Sequence, residues 1–258
     1  KNDLTGVIGL CRRLTTAAGV EYQSTHVRYL TFRSAFQTVA SNAVPGEHST
    51  HLQESFKQKV FSLLSKPWNF PEKHDAENQK HVMYAYVESK NEASKNLINQ
   101  AGYEYIRSFL TVAFSRFNPK PDARVTKLSP AEVPIMRDML KDYYKEHSFY
   151  TDEFSFYNNR YYVLKEDNEI IAGVCVIPTG YKVVNVPGVW GWILMKIVPH
   201  LPYFRRLFRP GEFRYLVLSA LYCREGREDL LPDLFEAVCA EENYNTALTW
   251  LDDHSALY

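Results

Sequence analysis

The sequence predicts a mixed α/β fold of the α+β kind, whose strand and helix pattern runs once to about residue 118 and then restarts. Three observations predict it. Apolar, β-branched and aromatic runs of strand length alternate with stretches whose apolar residues recur at helical spacing. The segment Phe117–Asp122, FNPKPD, interrupts that alternation and reads as a linker. Phe213–Asp253 reads as strand, polar turn, helix and strand in one continuous run.

In chain order, residues 6–14 and 22–36 read as two strands joined by a turn at Ala18-Gly19. Residues 37–51 form a polar loop. Residues 51–65 carry Leu52, Phe56, Val60, Phe61, Leu63 and Leu64 on one helical face. After a loop over 66–80, Val82–Val87 is a short strand. Residues 91–100 form a helix capped by Asn91 and stopped at Gly102. Tyr103–Phe114 reads as a long strand. Past the linker, 123–128 is a strand. Ser129, Pro130 and Glu132 then open a helix to about Tyr144 in the manner of a capping box. Residues 160–165 and 169–177 form a hairpin around Glu166-Asp167-Asn168. Leu230, Leu231, Leu234, Phe235 and Val238 mark the helix that follows the strand 213–222, and 246–251 is the closing strand.

The 258 residues are 45% hydrophobic, enough for one large domain or two small ones. Thirty basic and thirty acidic residues cancel, so bulk charge gives a nucleic-acid partner no support. No apolar run reaches the roughly 18 residues of a membrane-spanning helix, and the first ten residues lack the apolar core of a signal peptide. Cys11, Cys175, Cys223 and Cys239 form no C-x-x-C pair, and three lie in apolar runs. Buried free thiols and a cytoplasmic location are the expectation. His48 and His51 lie close together without a third ligand, so no metal is expected.

The chemistry centres on the turn after Tyr222. A turn that opens a helix directly after a strand aims several backbone N–H groups at one spot, and the helix dipole adds positive potential there. Such a spot suits a phosphate. Here the turn is Cys223-Arg224-Glu225-Gly226-Arg227-Glu228.

Two segments resemble the GCN5-related N-acetyltransferase superfamily. Ala85–Tyr105 is similar to that family's fifth strand, fourth helix and sixth strand, through Asn91, Ser94, Leu97, Gly102 and Tyr103. Phe213–Asp253 is similar to its fourth strand, pyrophosphate loop, third helix and fifth strand. Together they imply two tandem, acyl-CoA N-acyltransferase-like mixed sheets flanked by helices, over residues 1–118 and 123–258. Both copies look incomplete: the first starts late, and the second stops at Tyr258, early in its fourth helix. Lys1 is not an initiator Met, which fits an excised piece.

The resemblance implies an acyl-CoA co-substrate, with acetyl-CoA the usual donor, and a small-molecule or peptide amine as acceptor. The family's loop is patterned Q/R-x-x-G-x-G/A. Only Gly226 keeps that pattern; Cys223 and Glu228 replace its first and last positions. Arg224 and Arg227 favour a phosphate, while Glu225, Glu228 and Asp229 oppose one. Cys223, Arg224, Gly226, Arg227, Glu228 and Leu230 are therefore the expected cofactor-binding set. Tyr258 is the candidate acid for the leaving thiolate and Glu225 the candidate base. His254, with Asp252 and Asp253, forms a polar cluster at a strand's C-terminal end that also reads as a helix cap. In the first copy the acid's place falls on Ile98, which transfers no proton, and no Gly-rich loop follows Gln37. That copy is expected to be structural.

Residues 188–211 hold no acid. They combine Trp190, Trp192 and other apolar residues with Lys196, Arg205, Arg206 and Arg209. A pair of short helices packed on the sheet is the plain expectation. A surface that lies on a membrane or holds an acyl chain is the alternative. For the whole chain, the rival to an enzyme is a degenerate, non-catalytic pair that binds a ligand or partner.

Overall fold

The computed structural model describes residues 6–32, 60–65, 80–147, 149–202, 204–208 and 210–253. The chain divides into two compact units. One comprises Lys1–Ile106 with Lys145–Thr151, and the other Arg107–Tyr144 with Asp152–Tyr258. Each has its own mixed sheet, as the alternating pattern predicts.

In the first unit, β1 (Gly6–Ala17) and β2 (Val20–Phe32) form an antiparallel hairpin. Its two-residue turn places Ala18 and Gly19 at φ 48° and 73°, the left-handed pair that matches strand twist. β3 (His81–Ala85) joins β2 in parallel. Thr15, Ser24, Thr25, His26 and Val27 are buried. Residues 60–65 are helical, with Leu64 buried; its carbonyl accepts from the Tyr103 hydroxyl at 3.1 Å. α1 (Glu92–Gln100) is capped by Asn91, whose Oδ1 accepts from the Ser94 N–H at 3.0 Å. Ile98 is half-buried on it. The segment 145–151 belongs to this unit: Thr16 N–H donates to the Tyr150 carbonyl, and Phe149 stacks on Tyr84 at 4.7 Å. The expected loops at 37–51 and 66–79, and the front of the helix expected at 51–65, lie outside the described residues.

The second unit carries six strands in the order β4-β9-β8-β7-β6-β5. These are β4 (Phe109–Ser115), β5 (Val125–Lys127), β6 (Tyr161–Glu166), β7 (Glu169–Tyr181), β8 (Phe213–Cys223) and β9 (Thr246–Asp252). All neighbours are antiparallel except β8 and β9. β6 and β7 meet at Asp167-Asn168, again two left-handed residues, at φ 48° and 65°. α2 (Val133–Tyr143) starts behind the expected capping box: the Glu132 carboxylate accepts from the Ser129 N–H at 3.2 Å and its hydroxyl at 2.7 Å. α3 (Gly188–Lys196) and the single turn α4 (Phe204–Leu207) fill the expected insertion. α5 (Leu231–Glu241) is the crossover that a parallel pair needs. It buries Leu234, Ala237 and Val238 against Leu164, Val174, Val176, Leu216 and Leu218. Each fully buried Leu or Val there contributes roughly 1.5–3 kcal/mol.

The boundary differs from the expected linker. It falls between Ile106 and Arg107, so residues 117–122 lie inside the second unit. The strand expected over 103–114 shrinks to β4 because its bounds are set by pairing with β9, from Phe109↔Asp252 to Ser115↔Thr246. Phe117–Asp122 then carries the chain from β4 towards β5 and is tied down. Lys120 N–H donates to Glu236, Arg116 pairs with the same carboxylate, and Asn245 Nδ2 donates to the Arg116 and Phe117 carbonyls.

Candidate functional site

β8 and β9 pair only from Leu216↔Ala247 to Leu218↔Thr249. Residues 219–223 of β8 continue against β7 alone, so the two parallel strands part beyond Thr249. The Thr249 hydroxyl marks the parting point, donating to the Leu218 carbonyl at 3.1 Å.

β8 bulges where it separates. Cys175 opposes Ser219 and Gly173 opposes Tyr222, so Val174 alone faces both Ala220 and Leu221. Ala220 sits at φ 47°, a left-handed conformation that costs a residue with a Cβ and clusters at functional sites. Two tyrosines hold the bulge. Tyr161 Oη donates to the Ala220 carbonyl at 2.9 Å, and Tyr144 Oη to the Leu221 carbonyl at 2.6 Å. Gly173 makes room for the first: a Cβ there would lie 2.7 Å from Tyr161 Cε1. Tyr143 stands edge-on to Tyr222 at 5.5 Å. Burial, and then Cys223, Glu228 and Tyr222 nearby, raise its phenol above the usual range, so it stays protonated. A bulge leaves an extra backbone residue outside the ladder. Beside an open strand edge, it can offer an N–H to a polarised carbonyl.

The turn at the end of β8 is where the sequence puts it. Gly226 has φ 76°, and Leu230 is buried in the core as the helix begins. Four of its donors, however, are engaged from within. Arg224 N–H donates to the Ile171 carbonyl, Arg227 N–H to the Arg224 carbonyl, and Leu230 N–H to the Arg227 carbonyl. Gly226 N–H donates to the Glu228 carboxylate at 3.1 Å. The arginines turn back to the β6–β7 hairpin: Arg224 pairs with Glu169 at 3.0 Å and Arg227 with Glu166 at 2.7 Å. Arg227, and then Arg124, hold the Glu166 carboxyl below its ordinary range. Cys223 is buried, and burial followed by Glu228 and Asp229 pushes its thiol up to about 11, so it is no nucleophile. Glu225 is exposed at the turn's tip.

Asp252 ends β9 and accepts from Arg107 at 2.6 Å, and Asp253 N–H donates to the Ser108 carbonyl. His254 and Tyr258 lie outside the described residues. A shallow groove lined by Tyr181, Lys182, Glu212, Arg214 and Tyr244 lies at the opposite, N-terminal end of β8. All four cysteines are free, with Cys175, Cys223 and Cys239 buried. Among the described residues no group of three His, Cys, Asp or Glu side chains could hold a metal ion, and no helix is long and apolar enough to cross a membrane.

Sequence reasoning placed the turn and missed Ala220, Tyr144, Tyr161, Gly173 and Thr249. One signal was available. Gly173 interrupts the strand run EIIAGVCVI, and an isolated glycine in a strand marks a bulge or a close approach.

No protein-family model matches the chain, and neither does any curated protein sequence. Solved structures resemble it in fold. N-myristoyltransferase of Saccharomyces cerevisiae, solved with bound myristoyl-CoA, is 10% identical with a TM-score of 0.44, over 95% of this chain and 60% of that one. A probable N-acyltransferase of unknown function from Enterococcus faecalis V583 is 9% identical, TM-score 0.44, over 96% and 52%. A GCN5-related N-acetyltransferase from Anabaena variabilis is 10% identical, TM-score 0.44, over 97% and 53%. The chain thus spans from about half to three fifths of the length of these proteins. Likeness at this level carries no functional argument.

Proposed function

We propose that the chain is an acyl-CoA-dependent N-acyltransferase whose second unit carries the site, with acetyl-CoA as donor and an amine as acceptor. The observation that carries this reading is the gap between β8 and β9, opening at Thr249 beside the Ala220 bulge and leading to a strand–turn–helix with a left-handed glycine. In the reaction the amine nitrogen attacks the thioester carbonyl carbon and the carbon–sulfur bond breaks. The amine proton passes to a base, and the thiolate takes one from an acid. A backbone N–H of the bulged strand would hold the oxyanion. Glu225 is the proposed base, Tyr258 the proposed acid and His254 a further group able to move a proton. Residues 223–230 would face the pyrophosphate.

The first unit is proposed to be a second, non-catalytic copy. Its support is topological: β1-β2-β3 repeats the antiparallel-then-parallel sequence of β7-β8-β9. The free cysteines support a cytoplasmic location.

One observation favours a second reading, a non-catalytic binding protein. Glu228 occupies the Gly226 N–H, and both loop arginines are paired with glutamates. Thermal melting with acetyl-CoA separates the two readings. Ligand at about a hundred times its dissociation constant adds about 2.7 kcal/mol of stability. A raised melting temperature, with thiol release in the presence of amines, supports the enzyme; an unmoved one supports the second reading.

A further inference from the structure

Among the described residues of the second unit, the most exposed large apolar side chains, Trp190 and Val184, lie on α3 and its flank. Gly191 is buried, and the Val186 backbone stands where its Cβ would lie, so that side of the helix is covered. Val189, Trp192 and Lys196 recur at helical spacing on the half of the helix away from Gly191, and Trp190 borders that half on the other side of Val189, about 100° round the helix. Val189 is 75% exposed, Trp190 82% and Trp192 58%. Val184, Ile197, Leu201 and Phe204 extend the apolar surface. Exposed apolar surface that is gathered in one place is a feature of interaction sites.

Charge says what kind. Residues 170–211 contain no Asp or Glu, in a chain with thirty of each sign. The same stretch holds Lys182, Lys196, Arg205, Arg206 and Arg209. Lys182 and Lys196 are exposed. Arg206 donates to the Phe117 carbonyl and to Asn118, which anchors α4 beside Phe117. A self-association through this patch would bring the same cations onto each other across a two-fold axis. An anionic lipid bilayer complements both features. Trp rings settle at the boundary of headgroups and acyl chains, and each nearby Lys or Arg adds attraction to anionic lipid. α3 is about 13 Å long, enough to lie in that boundary and too short to cross it.

We propose that α3 and its cationic flanks dock on an anionic membrane surface, with Val189, Trp190 and Trp192 entering the interface. The inference stands apart from the acyltransferase reading.

The test is co-sedimentation of the intact chain with vesicles of phosphatidylcholine alone, and of phosphatidylcholine mixed with phosphatidylglycerol, while tryptophan emission is followed. The expected result is binding to the mixed vesicles at least about fivefold tighter than to the neutral ones. That binding weakens with added salt and comes with a blue-shifted emission. Lys196→Glu weakens it by about fivefold or more, and Trp190→Ser with Trp192→Ser by about tenfold or more. These side chains are exposed, so circular dichroism of the variants stays unchanged. Absence of binding to the mixed vesicles overturns the proposal, as does binding that survives the tryptophan replacements. A chain that elutes as a dimer, with emission insensitive to vesicles, overturns it in favour of a second copy.

Discussion

The Tyr161 hydroxyl donates to the Ala220 carbonyl across 2.9 Å, beside the missing side chain of Gly173. A core phenol on β6 thus holds the bulged residue of β8, two strands away, in a left-handed conformation. The ring is 1% exposed, so the bond is made out of water.

Tyr161→Phe leaves the ring and removes the donor from a buried carbonyl. Urea denaturation is expected to show a loss of about 1–3 kcal/mol. If the bulge serves the reaction, turnover falls while the KM for acyl-CoA stays. Gly173→Ala drives a methyl into the same ring and is expected to cost about 1–3 kcal/mol. Wild-type stability in both variants would remove this account of the bulge.

Glu228→Gln takes the negative charge from the group that occupies the Gly226 N–H. A phosphate then competes with a neutral amide. Coenzyme A affinity is expected to rise by about twofold to fivefold, roughly 0.4–1 kcal/mol, the scale of one exposed charge pair. Calorimetry measures it. Unchanged or weaker binding places the pyrophosphate elsewhere.

His26 gives the first unit a pH signature. It is buried and stacked on Tyr84 at 4.6 Å. Burial, then Arg28 and Arg13, lower its pKa from 6.5 to about 4. The unfolded chain takes up a proton near 6.5 that the folded unit refuses until about 4. Stability is therefore whole above 6.5 and declines as pH falls from 6.5 towards 4, by on the order of 2 kcal/mol. His26→Phe, which keeps a ring in the stack, is expected to flatten that decline. An equally steep decline in the variant would assign it to other groups.

Local chemistry was legible in the sequence and distant pairing was not. The Asn91 cap, the Ser129–Glu132 box, the Ala18-Gly19 turn, the hairpin around Glu166-Asp167-Asn168 and the α5 stripe each rest on residues a few positions apart. Phe117–Asp122 looked like a linker because its composition is that of one. What holds it, Glu236 and Asn245, lies more than a hundred residues on. The bounds of β4 depend on β9 in the same way. In the turn, the left-handed Gly226 and the buried Leu230 were readable. The capture of Gly226 N–H by Glu228 was not, because a carboxylate two residues on serves equally well as a first-turn dipole partner.

Tyr258→Phe is expected to lower turnover about tenfold or more if that phenol is the acid, with little effect on binding because the ring stays. Full turnover in the variant would exclude it. Ile98→Ala is expected to leave turnover alone and, because Ile98 is only half-buried, to cost less than the roughly 2–5 kcal/mol of a core truncation.

The most direct measurement is calorimetric titration of the intact chain and of Gly226→Val with acetyl-CoA. A Cβ at Gly226 meets nothing within 4 Å, so the substitution leaves the packing intact and acts through the φ of 76° and through access to the loop's backbone. The account predicts one site per chain, lost in Gly226→Val while the variant still unfolds cooperatively. Two sites per chain, no binding by the intact chain, or undiminished affinity in Gly226→Val would contradict it.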